Sequence, residues 1–200
     1  MLQSRDDRPG SPPGPGEGGD PAEVRLIGRV ATGDLRAFEQ LYRAYHTRLT
    51  RFLGRMTRRR GVVEEVLNDT MLVVWNRSDR FNGSSKVCTW IFAIAYRKAL
   101  KALQRQDEAV EDEALNERAG TEPGPEQQLQ RRELNAQLAG ALGALSIDHR
   151  TVVELTYFHG MGYREIAQIV GCPVDTVKTR MFHARRRLRA LLAGDAEDWL

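Results

Sequence analysis

The sequence predicts an all-α protein: two small helical domains joined by a flexible acidic linker. Three observations predict it. Apolar residues recur at steps of three and four, the helical period, and no stretch reads as a strand. Charge is segregated: residues 22–106 carry net +10 and residues 134–193 net +4, while residues 107–133 between them carry −6. Segments unable to build a core separate the periodic blocks, within a length of 200 residues that suits one or two small domains.

Taken in order, residues 1–21 are rich in Pro and Gly and nearly devoid of apolar side chains, so they read as a disordered N-terminal extension. Asp34 is a candidate N-cap. After it, Leu35, Phe38, Leu41, Tyr42, Tyr45, Leu49, Phe52, Leu53 and Met56 line one face of a long amphipathic helix. A second helix is expected from Val62 to Trp75, a loop over Ser78–Ser85, and a third helix from about Val87 to Gln104. Residues 107–133, with many acids and the string TEPGPE, read as the linker. Leu134, Leu138, Leu142 and Leu145 then form a helical face, Ser146 is placed to cap the next helix, and His159-Gly160 to end it. The first domain thus covers residues 22–106 and the second 134–193, with an acidic tail at 194–200.

Composition excludes several classes. No apolar run reaches membrane-spanning length, and no export signal opens the chain. Cys88 and Cys172 stand far apart in no paired motif, so a reduced, cytoplasmic setting is expected. The four histidines show no ligand spacing, so neither a metal nor another cofactor is expected. No nucleophile–base pair or phosphate loop suggests an enzyme.

The most specific pattern is GYREIAQIVGCPVDTVKTRMFHARRRLR at residues 162–189. It reads as a short helix, a turn at Gly171-Cys172-Pro173 and a second, basic helix. Val174, Val177, Met181, Ala184, Leu188 and Leu191 make its buried stripe. Asp175, Thr179, Phe182, His183 and Arg186 lie opposite, flanked by Lys178, Arg185 and Arg189. A polar, cationic face with one exposed aromatic suits a helix that reads the major groove.

The third helix places Trp90, Ile94, Arg97, Lys101 and Arg105 in line, with Lys98 at the edge, opposite a core arc running from Ile91 to Leu103. An aromatic beside cations is what unpaired bases and their phosphates require. Trp90 has two readings at this stage, a stacking platform or a core side chain. In the second helix Glu65 and Asp69 stand four apart in a basic domain, a mildly unfavourable spacing. Cations within the chain, with Arg58, Arg59 and Arg60 nearest in sequence, or a basic partner surface would relieve them; the internal explanation is preferred.

These blocks together resemble a bacterial RNA polymerase sigma factor of the extracytoplasmic-function (ECF) group, over roughly residues 24–106 and 129–193. VVEEVLNDTMLVVWN resembles the family's polymerase-binding helix, FNGSSKVCTWIFAIAYRKALKAL its minus-ten-reading and melting segment, and the stretch from LGALSIDHR through the basic helix its minus-thirty-five-reading domain. Arg97, where many members carry Asn, and Cys88, where Ser or Arg is usual, depart from the pattern.

The resemblance implies that Glu65, Asp69, Leu72 and Trp75 lie on or near the helix that docks core polymerase. It implies that the loop Phe81 to Lys86, with Asn82 and Ser84, receives a flipped minus-ten base, and that Trp90, Arg97, Lys98 and Lys101 hold the opened strand. Lys178, Thr179, Phe182 and His183 match minus-thirty-five contacts, with Arg185 and Arg186 toward phosphates. It further implies promoter DNA and an anti-sigma factor as partners, control in trans by a stress or envelope signal, and an anti-sigma interface involving the faces around Leu72 and Leu142. The competing expectation is an autonomous helix-turn-helix regulator that binds duplex DNA without polymerase.

Overall fold

The computed structural model describes residues 19–57, 59–109 and 136–193. All regular structure among them is helical: α1 (Pro21–Ala31), α2 (Leu35–Met56), α3 (Arg60–Arg77), a 3₁₀ turn (Ser78–Arg80), α4 (Val87–Ala109), α5 (residues 136–143), α6 (Ile147–Tyr157), α7 (Tyr163–Val170) and α8 (Val174–Ala193). Most of the N-terminal extension, Arg58, the segment from residue 110 to 135, with Leu134 of the expected helical face, and the tail at 194–200 lie outside the described residues.

Helix α1 begins at Pro21, the last residue assigned to the extension, and precedes the long helix expected after Asp34. Its start is written in the chain: the Asp20 carboxylate accepts from the Ala22 N–H at 2.8 Å, Pro21 supplies the fixed φ of a first turn, and Glu23 adds a favourable negative charge there. Ile27 and Val30 bury its inner face. The hydroxyl of Tyr45, a fully buried residue, donates to Glu23 at 2.8 Å and ties α1 to α2. Asp34 caps α2 as expected, accepting from the Ala37 N–H at 3.0 Å while Arg29 clamps its other oxygen at 2.7 Å.

Helix α3 extends two residues beyond each expected end, taking in Gly61 in its first turn, and no proline flanks Val62–Trp75 to stop it. Helix α4 continues to Ala109, past Gln104 and into the segment assigned to the linker, since no Gly or Pro stops it there. Ser146 caps α6, accepting from the His149 N–H at 3.4 Å. Gly171 ends α7 at φ +70°, the left-handed region that only glycine enters cheaply, and Pro173 immediately precedes α8.

The first domain packs α2, α3 and α4 around Leu41, Tyr45, Leu49, Phe52, Val74, Ile91, Phe92 and Ala95. The second packs α6, α7 and α8 around Val152, Leu155, Ile166, Ile169, Val177, Met181 and Ala184. These two sets form one continuous core, because α7 lies on α4 and α6 lies on α2. The His159 ring stands edge-on between Phe92 and Phe52, at 4.9 and 5.9 Å. Arg150 fastens the same seam: its guanidinium donates to the carbonyls of Leu142 and Gly143 at the end of α5 and of Leu145 just after it, and at 3.0 Å to the carbonyl of Arg55 in α2.

Two expectations about surface fail here. Leu142 is only 2% exposed, an anchor of α5 within the second domain, so it offers no face to an anti-sigma factor. Ile94 is 7% exposed rather than displayed beside Trp90, on a helix packed against α2, α3 and α7.

Candidate nucleic-acid interface

The loop after α3 is built from short polar residues that bond to their own backbone. Asn82 Oδ1 accepts from the Ser84 N–H at 3.0 Å, and Gly83 takes φ +73° to close the turn. Asn82 and Ser84 are thereby left exposed. Phe81 and Trp90 are half-buried and tilt against each other at 5.6 Å, so Trp90 combines the two readings: one side packs and the other is presented. Arg97 and Lys101 project into solvent farther along α4. A half-open aromatic pair beside a pliable loop and a cationic helix can receive an unstacked base and neutralise its backbone.

The expected docking line on α3 is also assembled. Glu65 and Leu72 are exposed, Leu72 by 56%, and Asp69 is half-exposed between them. Trp75 turns partly inward, edge-on to Phe38 at 5.1 Å. Asp69 is relieved from within the chain, as preferred, and by Lys98 of α4 at 2.8 Å; of the arginines considered for that role, Arg58 lies outside the described residues. Lys98 and Asp69, assigned to different partners, therefore neutralise each other in this state.

On α8 the centre of the expected stripe, Val177, Met181 and Ala184, is buried, Val174, Leu188 and Leu191 at its ends are only half-buried, and the opposite face is open. Phe182 is 62% exposed, with His183 edge-on to it at 5.4 Å. Lys178 leans on Asp175 at 2.9 Å, a loose pairing between exposed groups, and the Thr179 hydroxyl donates to the Asp175 carbonyl. Arg185 Nε donates to the hydroxyl of exposed Tyr157 at 3.0 Å, while Arg186 is exposed on the helix surface. Arg180 pairs with Asp148 at 2.6 Å and so sets α8 against α6. Sequence reasoning singled out neither Arg180 nor Tyr157; their signal is tertiary, since each belongs to one helix and acts on another.

Lys86 is half-buried, its ammonium 3.1 Å from Glu165 of α7, and the buried Thr89 hydroxyl reaches the same carboxylate oxygen at 3.3 Å. Glu165 spends its other oxygen on the Gly162 N–H at 2.9 Å, closing the start of α7. The expected minus-ten residues thus divide: Asn82, Ser84, Arg97 and Lys101 are open, whereas Lys86 is engaged across the seam.

Comparison with known proteins identifies the family. The family described as Sigma-70 region 2 matches residues 41–109, and Sigma-70, region 4 matches residues 135–188. Together they span more than half of the chain. RNA polymerase sigma factor CnrH of Cupriavidus metallidurans is 31% identical over 88% of this chain and 97% of its own length. ECF RNA polymerase sigma factor RpoE of Cereibacter sphaeroides is 31% identical over 78% of this chain and 86% of its own. Among solved structures, CnrH in complex with the cytosolic domain of CnrY aligns with a TM-score of 0.66 at 28% identity, covering 87% of this chain and 99% of that one. Sigma factor RpoE in complex with the anti-sigma factor NepR from Bartonella quintana aligns with a TM-score of 0.65 at 26% identity, over 80% and 98%. With both sigma regions present in order and relatives matched over nearly their whole length, the chain belongs to the ECF family of RNA polymerase sigma factors.

Proposed function

We propose that this chain binds core RNA polymerase through the outward line of α3, holds the opened minus-ten strand with residues 81–86 and α4, and reads the minus-thirty-five duplex with α8. It acts in the cytoplasm and supplies selection rather than catalysis. The observation that carries this reading is that two faces of different chemistry sit on separate helical domains. One is a half-open Phe81–Trp90 pair beside a polar loop; the other is an exposed aromatic on a basic recognition helix. The first suits unpaired bases and the second duplex grooves. A regulator of duplex DNA alone has no use for the first. An anti-sigma factor is the expected partner in the resting cell; RpoE of Bartonella quintana forms a complex with the anti-sigma factor NepR, and the exposed Leu72 is the apolar group we assign to such a contact.

Asp69→Lys tests the polymerase contact. It should weaken co-purification with core by about tenfold or more, roughly 1.4 kcal/mol, while helix content and melting stay near the parent's. The pairing with Lys98 makes the test sharper. The double swap Asp69→Lys, Lys98→Asp restores the internal ion pair, so rescued core binding would show that Asp69 acts only inside the chain. Binding that stays weak is the expected result.

A further inference from the structure

We propose that Tyr157, the last residue of α6, is a positioning residue for the minus-thirty-five contact: its phenol holds the Arg185 guanidinium in place for a backbone phosphate without cancelling its charge. The inference rests on the assignment of α8 to the minus-thirty-five duplex. Arg185 Nε donates to the Tyr157 hydroxyl at 3.0 Å, and the guanidinium carbon lies 5.8 Å from the centre of the Tyr157 ring. One edge of the fork is thereby fixed, and the paired NH2 groups at its other end are left for an oxyanion. Tyr157 is 59% exposed and Arg185 is exposed beside it, so the pair faces solvent rather than the core.

Helix geometry sets where this pair stands. Arg185 follows Lys178 by seven residues, close to two full turns, so it shares that side of α8 about 10 Å farther along the axis. A recognition helix meets base edges with its N-terminal residues, and its later turns pass the sugar–phosphate wall of the groove. The chemistry of the pair then matters. On α8 the neighbours of Arg185 at helical spacing are Met181, Phe182, Leu188 and Arg189, so no acid of its own helix holds it. Lys178 leans instead on the Asp175 carboxylate, and Arg180 is paired with Asp148. A carboxylate neutralises the cation it orients and competes with an incoming phosphate. An uncharged phenol orients the cation and leaves its full charge to the DNA. An exposed arginine otherwise spreads over many rotamers, and holding it beforehand removes part of the ordering cost of binding.

Tyr157→Phe is the discriminating variant, because it keeps the ring and deletes the bond to Arg185. The full-length chain, reconstituted with core polymerase, is titrated with a fluorescent duplex bearing the minus-thirty-five element of a promoter it serves, from low to high salt. The variant should bind about twofold to fivefold more weakly at low salt, with helix content and melting near the parent's. The deficit should close as salt rises, because the contact it serves is electrostatic. Arg185→Ala should weaken binding and lower the salt slope by about one. Adding Tyr157→Phe to Arg185→Ala should cost nothing more. Parent-like affinity for Tyr157→Phe at low salt, a deficit that persists at high salt, or a further loss in the Arg185→Ala background overturns the proposal. Lys178→Ala and Phe182→Ala are measured alongside to separate the two levels of the argument. If both bind like the parent, the assignment of α8 to the duplex fails and takes the proposal with it. If they weaken binding while Tyr157→Phe does not, that assignment stands and the role of Tyr157 falls.

Discussion

Phe182 is a large aromatic left 62% exposed on a helix whose opposite face buries Val177, Met181 and Ala184, so its removal should cost binding rather than folding. Phe182→Ala, Lys178→Ala and His183→Ala should each lower transcription from a promoter that depends on its minus-thirty-five element, by about 1–3 kcal/mol for a base-edge contact. Arg186→Ala should weaken binding to all sequences alike and flatten its salt dependence. Unchanged affinity and sequence preference for Phe182→Ala would remove the aromatic from the reading face. His159 offers a second test. Burial first, then Arg48 and Arg51, pushes its imidazole from the usual 6.5 down to about 4. The separated state takes up a proton as pH falls through 6.5, and the docked state does so only near 4, so His159 weakens docking across that window. Glu154 opposes it, because burial raises its carboxyl against the pull of Arg55 and Arg150, and protonation then favours the docked form. Comparison with His159→Phe isolates the histidine: the melting temperature of the parent should fall more steeply between neutral pH and about pH 5. Parallel pH profiles would show that His159 does not titrate on separation. The α8 residues were legible because one stripe is buried and its opposite is free. Glu165 was not, because its partner Thr89 lies 76 residues away and nothing local marks the pair.

Elements were legible where their ends carry their own chemistry. Asp34, Ser146 and Gly171 mark helix termini in the sequence and do so in the structure. Gly171 gives a direct check: a Cβ there meets nothing within 4 Å, so Gly171→Ala costs only the left-handed conformation. The expected loss is about 1–2 kcal/mol in urea unfolding, with α8's binding face intact once folded. An unchanged midpoint would mean that the turn relaxes out of φ +70°. Helix α1 carries the same signals, Asp20, Pro21 and Glu23, but its apolar positions are few and it follows a Pro/Gly-rich stretch. Its stability comes from Ile27 and Val30 sinking into the first domain and from Tyr45 reaching Glu23, contacts that periodicity in a short segment does not reveal. The burial of Ile94 was hidden for the converse reason. A helix contacted on several sides, as α4 is by α2, α3 and α7, has no single exposed face for a periodic pattern to report.

At the scale of the whole molecule, segregated charge announced two basic bodies and an acidic connection, and both bodies are present. Their docking left no trace in the sequence, because the seam draws single residues from α2, α4, α6 and α7 rather than a run from any one of them. The central claim is that these bodies serve a polymerase. The most direct test is run-off transcription on genomic DNA fragments with purified core RNA polymerase, with and without the full-length chain. The account predicts discrete transcripts that appear only when the chain is added, start downstream of a shared pair of minus-thirty-five and minus-ten elements, and are lost when either element is mutated. Specific duplex binding by the chain alone, with no transcript from core polymerase on the same fragments, would contradict it.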